Sequence, residues 1–367
     1  MRGLADKKQV VRFLRRTGLE SLIRRVLRVV CNPRLLILDR VVEADYRAFK
    51  KQYGAILSPG RELADPDRRV LFLSFASYTA QLKAESFLAK VLQLYGVTPV
   101  MVTASWLKRA LKYYRAFGIG DFAFFDRVQR QVPPEALDII EEFFSQPFSV
   151  QDVRNFHYKG TRLGAHMLRT LTRTTHKGFI DLSDPRVTNT LKAMMRQGME
   201  NVERAEALLD EYRPEIVFTH HPLNMEEGDI FEVALVRGLN AIYWNDAQKT
   251  DYWIFKRYSQ KNKGLQYFSV DDETWEIARQ MEWTPEHEAI LMEEIRRRYD
   301  PASRADSRLL QQGKQMKDRE TIWQQLELDP GKKTAVVFSH ITWDTSFLYG
   351  QDLFNDYEDW LVQTTRA

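Results

Sequence analysis

One pattern constrains this chain more than any other: a strand, a helix, a glycine and a second strand follow one another, and the series occurs twice. The apolar run Val70-Leu71-Phe72-Leu73-Ser74-Phe75 reads as a buried strand, Ala80 to Tyr95 as a helix stopped by Gly96, and Val97 to Thr103 as the next strand. The order returns with Ile216 to Thr219, a helix over Ile230 to Arg237, Gly238, and a strand over Ala241 to Trp244. Each series is a βαβ unit, which requires parallel strands joined by a right-handed crossover. The fold class expected is α/β, with a Rossmann-like parallel sheet.

The intervening sequence completes this plan. A helix at Trp106 to Phe117 leads to a third strand at Phe122 to Phe125, and Trp253 to Tyr258 reads as a further short strand. Residues 133–212 are mostly helical, the best-marked helix opening at Ser183-Asp184-Pro185 with a cap followed by proline in the first turn. Helices are also expected near Thr274 to Met281, Pro285 to Tyr299, Ile322 to Leu328 and Tyr357 to Thr365, and a buried strand over Lys333 to Ser339. The domain plan is therefore a basic amphipathic helical extension (1–58) and a Rossmann-like domain (68–300) carrying a helical insertion at about 133–212. A linker (301–330) and the start of a second Rossmann-like domain (331–367) follow. Only 37 residues run from Gly331 to Ala367, whereas an independent domain needs on the order of 100. The expectation is that this chain is the front part of a longer enzyme.

Composition closes off other classes. With 44% hydrophobic and 12% aromatic residues the chain can bury a core. Its longest apolar runs fall far short of the roughly 18 residues of a spanning helix. A single cysteine, Cys31, forms no internal disulfide, and the Cys/His clusters of structural zinc sites are missing, so a reducing cytoplasmic setting is expected. The net charge of +4 is concentrated at one end: residues 1–50 hold thirteen Lys/Arg against five Asp/Glu. Within residues 1–30, apolar residues recur at helical steps between Arg15, Arg16, Arg24, Arg25 and Arg28. This suits either an anionic membrane surface or a helix packed on its own domain. Arginines throughout the segment argue against a signal peptide. No nucleic-acid motif accompanies the charge, and no nucleic-acid partner is expected.

Ligands of open parallel sheets bind beyond the carboxyl ends of the strands, and three segments place reactive side chains there. The first is the loop holding Ser77, Tyr78 and Thr79, whose alternative reading is an ordinary helix cap. The second is Thr219-His220-His221-Pro222, with Glu227 and Asp229 just beyond and Asn245-Asp246 ending the next strand. A histidine there suits general-base work, because its ordinary pKa lies near neutrality; a structural pair is the alternative. Adjacent histidines in an extended segment point to opposite sides, so a metal is not expected. The third is His340, Trp343 and Asp344. Asp271-Asp272-Glu273 precedes a helix and reads as an N-terminal cap.

At these residues the chain resembles a family. The run VVFSHITWDTSFLYGQDLFNDYEDWL (Val336 to Leu361) is similar to the start of the donor-binding domain of bacterial capsule and surface-polysaccharide glycosyltransferases of the GT-B fold. GDIFEVALVRGLNAIYWN (Gly228 to Asn245) resembles a strand–helix–strand of their N-terminal domain. FHYKGTRLGAHMLRTLTR (Phe156 to Arg173) is similar to their helical insertion. The resemblance implies transfer of a sugar from a nucleotide-sugar donor to a glycan or lipid-linked acceptor, with no bound metal cofactor. It also implies a cytoplasmic enzyme peripheral to the inner membrane. His220 or His221 is then the acceptor-side base, with Asp246 a further catalytic candidate, while His340 and Asp344 position the donor. The remaining donor-domain strands are missing from residues 1–367, which alone are expected to lack transferase activity. Two rivals stand beside this reading: a nucleotide-sugar 2-epimerase of the same fold, and a non-catalytic membrane-apposed scaffold.

Overall fold

A computed structural model describes residues 34–75, 78–247, 249, 252–299, 317–339, 341–343, 354 and 357–366. It contains one six-stranded sheet: β1 (Asp65–Leu73), β2 (Val97–Thr103), β3 (Asp121–Phe124), β4 (Ile216–Thr219), β5 (Asn240–Asp246) and β6 (Trp253–Tyr258). The spatial order is β3-β2-β1-β4-β5-β6. β4 runs parallel to both β1 and β5, and β6 is antiparallel to β5. The protein is thus α/β with a mixed, mostly parallel sheet, and the direction of strand succession reverses between β1 and β4. Phe72 and Phe218 lie opposite one another in that central pair, their rings stacked 5.1 Å apart.

The helices are α1 (Arg34–Leu57), α2 (Thr79–Leu94), α3 (Lys108–Ala116), α4 (Pro134–Ser145), α5 (Val150–Arg154), α6 (Leu163–Thr175), α7 (Pro185–Tyr212) and α8 (Glu227–Val236). They are followed by α9 (Asp272–Gln280), α10 (Pro285–Tyr299), α11 (Arg319–Gln325) and α12 (Tyr357–Arg366). Both expected glycine stops are present. Gly96 and Gly238 take φ of +80° and +70°, and their N–H groups bond Gln93 and Leu235 carbonyls, closing α2 and α8. Asp184 caps α7 by accepting the Arg186 N–H, and Asp271 caps α9 by accepting the Thr274 N–H.

The described residues form two compact units. The first takes in the chain before Arg69 with Phe75–Val100 and Ala104–Ala123. In it α1 packs against α3: Phe49 stacks on Phe117 at 5.3 Å, Lys83 and the Tyr113 hydroxyl reach Asp45 at 2.8 Å, and Lys112 meets Glu43 at 3.0 Å. Residues 34–57 are therefore part of a packed unit rather than a separate extension, because their aromatic and acidic side chains have partners there. The amphipathic pattern of residues 1–30 lies outside the described residues.

The second unit holds Arg69–Ser74, Met101–Thr103 and the chain from Phe124 onward. α7 crosses it, burying Leu191, Met195, Met199, Val202 and Leu208 at regular helical spacing. α6 approaches α5 so closely that a Cβ on Gly164 would stand 1.6 Å from the Val153 carbonyl oxygen. One expectation fails here. Lys333 to Ser339 is no strand, and Val336 and Phe338 are 69% and 87% exposed. An apolar run becomes a strand only where its backbone groups find a ladder, and none of the six strands pairs with it. Among the described residues no helix is long and apolar enough to cross a membrane.

Candidate functional site

The carboxyl end of β4 gathers several titratable side chains, His220, His221, Glu227 and Asp229. β4 ends at Thr219, the chain bends at His220, and α8 begins seven residues later at Glu227. The first turn of α8 is acidic, which its positive end favours, and both acids are buried. Glu227 accepts from the Thr219 hydroxyl at 2.5 Å and from the His221 N–H at 3.0 Å, so one carboxylate ties the strand end, the bend and the helix together.

His220 lies against Trp244 of β5, the rings edge to face at 4.6 Å, and exchanges a hydrogen bond with the Asn245 side chain. Asn245 in turn donates to the Tyr243 hydroxyl. Burial, partly opposed by the Asn245 bond, pushes the His220 pKa down to about 4. The ring is therefore neutral at pH 7, the state a base needs. Its Nδ1 is buried with no hydrogen-bond partner among the described residues, as is Trp244 Nε1. Burial also drives the Tyr243 hydroxyl up, keeping it protonated. The two histidine rings are 6.1 Å apart and inclined by 23°. They do not project to opposite sides, because the bend at His220 breaks the alternation that an extended strand would impose.

Behind this turn lies a second polar layer. Asp229 accepts from Asn201 Nδ2 at 2.8 Å and lies 2.8 Å from His166 Nδ1, all three side chains being fully buried. Its second oxygen also takes the Glu226 N–H at 3.0 Å. Gly228 makes room for this arrangement: a Cβ there would come within 3.0 Å of the His166 ring and the Pro222 carbonyl. Further along α8, Glu232 is buried, which raises its pKa, but His166, Arg162 and Lys263 outweigh that and hold it below the ordinary carboxylate value. Three buried carboxylates on one helix are tolerable only because each is bonded.

The sequence-nominated residues thus divide. His220, His221, Glu227 and Asn245 come together, whereas Asp229 faces His166 and Asn201, and Asp246 is exposed at the carboxyl end of β5, opposite Trp253 of β6. Tyr78 is exposed and forms the N-cap of α2 without a side-chain cap bond, so the expected hydroxyl cap is not made. Thr79 bonds Tyr113 within the first unit. Trp343 packs edge to face on His176 at 4.9 Å, and its carbonyl accepts from Arg169. Ser77, His340 and Asp344 lie outside the described residues. Sequence reasoning missed His166, Asn201, Arg162 and Trp244, which reach the site from three other elements. Among the described residues no group of three or more His, Cys, Asp or Glu side chains is placed to hold a metal ion. Comparison with family models, with curated proteins and with solved structures gives no match.

Proposed function

We propose that the chain is the acceptor-side part of a glycosyltransferase of the GT-B type, moving a sugar from a nucleotide-sugar donor to a glycan or lipid-linked acceptor in surface-polysaccharide assembly. The observation that carries the reading is the bend after β4, beside the point where strand order reverses, with a neutral histidine clasped between Trp244 and Asn245. Ligands of doubly wound sheets bind at that position. In the step proposed, the acceptor oxygen bonds the sugar's anomeric carbon while the bond from that carbon to the diphosphate oxygen breaks. The diphosphate leaves with the electron pair, and the acceptor's proton passes to His220. A base of such low pKa is a weak one, so its contribution belongs at the lower end of general-base effects, about a hundredfold. Residues 1–30 would hold the protein at an anionic bilayer. The donor-facing roles of His340 and Asp344 belong to the same proposal.

The test is a transfer assay on the full gene product with a panel of nucleotide sugars and lipid-linked or oligosaccharide acceptors, read by mass spectrometry. An acceptor heavier by one sugar residue supports the reading. An epimerised donor indicates a 2-epimerase instead, and no reaction with any pair indicates a scaffold.

A further inference from the structure

Apart from the strand ends, the second unit has an open groove of about 1240 Å³ between α6 and α7. Its walls include Thr170 and Thr174 of α6, Thr190 and Gln197 of α7, and Phe179 from the connection. Met225 and Glu226 also line it. The Glu226 backbone stands out in the chain: φ is +68° and ψ is −77°, and the Glu227 N–H bonds the Met225 carbonyl at 3.1 Å. This is a γ-turn with positive φ at its centre, a conformation that costs any residue with a side chain and that glycine would adopt at less cost.

The turn is clamped on both sides. The Met225 N–H bonds Thr170 Oγ1 at 3.0 Å, and the Glu226 N–H bonds Asp229 Oδ2 at 3.0 Å. Asp229 is itself fixed by Asn201 and His166. A buried polar network thus holds a strained glutamate at the wall of a groove, and strain that the surroundings enforce in this way points to use. Burial and the nearby Asp229 raise the Glu226 carboxyl pKa, consistent with a group set back from bulk water.

The lining selects the ligand. Among the described lining residues two cations, Lys177 and Arg186, stand with four carboxylates, those of Asp181, Asp184, Glu226 and Glu358, and Arg186 is already engaged by Asp184 at 2.9 Å. Such a surface repels phosphate and sulfate. The hydroxyls of Thr174 and Thr190 donate to carbonyls of their own helices at 2.7 Å, leaving their oxygens as acceptors. Phe179, 61% exposed, offers an apolar ring. Hydroxyl acceptors, a carboxylate and an aromatic face together suit a polyhydroxyl chain.

We infer that this groove binds an uncharged saccharide chain, with Glu226 accepting hydrogen bonds from its hydroxyls. The inference rests on the transferase reading only in making that saccharide the acceptor.

The full chain is examined by saturation-transfer NMR with maltotetraose, cellotetraose, chitotetraose and a heparin tetrasaccharide, together with methyl spectra of the methionines. At least one uncharged tetrasaccharide should receive saturation and shift the Met194 and Met225 methyls, while the heparin fragment should not. Glu226→Gln should weaken that binding at least tenfold. Glu226→Gly should weaken it as much while leaving Tm unchanged or higher, since positive φ suits glycine. The inference is overturned if no uncharged saccharide binds, if Met194 and Met225 do not move, or if Glu226→Gly lowers Tm and leaves binding intact. Saccharide binding without any transfer would sink the transferase reading alone; normal transfer by Glu226→Gln would sink the groove assignment alone.

Discussion

The packing of His220 against Trp244 makes the protein's stability depend on pH in a way that can be isolated. The folded chain holds this imidazole at about 4, whereas an unfolded histidine titrates near 6.5. Between those values the unfolded chain takes up a proton that the folded chain refuses, so stability rises with pH across the window. The contribution is fully present above about pH 6.5, is lost progressively as pH falls toward 4, and changes no further below that. At pH 4.5 two such pKa values correspond to a loss of about 2–3 kcal/mol. Carboxylates titrate in the same range, so the comparison is made against His220→Phe, which keeps a ring against Trp244 and cannot protonate. Urea unfolding at pH 7.5 and 4.5 should show the wild type losing about 2–3 kcal/mol more than the variant. Equal losses, or an imidazole Cε1 resonance assigned to His220 that titrates near 6.5, would refute the reasoning.

Other consequences follow from single contacts. Asp229→Ala strips the partner from buried His166 and Asn201 and should cost about 3–5 kcal/mol in urea unfolding, the scale of a broken buried pair. Gly164→Ala puts a methyl against the Val153 carbonyl, which no side-chain movement relieves, and should abolish soluble expression or lower stability by more than about 4 kcal/mol. Phe49→Ala removes the ring stacked on Phe117 and should cost roughly 2 kcal/mol and expose residues 34–57 to limited proteolysis. Replacing Arg15, Arg16, Arg24 and Arg25 by Glu should abolish cosedimentation with anionic vesicles at low salt, where surface charge acts most strongly.

The sheet was legible because its signals are local. Apolar runs marked β1, β4 and β5, and Gly96 and Gly238 ended the helices between them. Capping was legible at Asp184 and Asp271, whereas the Asp318 cap of α11 went unread. The run at Lys333 to Ser339 misled because apolar character is only half of what a strand needs; a ladder partner is the other half. The candidate site was half legible. His220 and Asn245 announced themselves as polar residues at strand ends, and Glu227 as a carboxylate shortly after one. His166, in the first turn of α6, and Asn201, within α7, meet Asp229 only through tertiary packing. The positive φ of Glu226 could not be read from a glutamate, since the sequence there contains none of the glycine that normally marks such a turn.

The proposed transfer of a sugar at the bend after β4 is tested most directly by turnover. Sugar transferred per folded molecule is measured by mass spectrometry for the full gene product and for His220→Ala on the same donor and acceptor, with circular dichroism and Tm taken on both. The wild type should transfer sugar, and the variant should lose about a hundredfold in turnover with the fold retained. Wild-type protein that transfers no sugar, or a folded variant that turns over at the normal rate, would contradict the proposal.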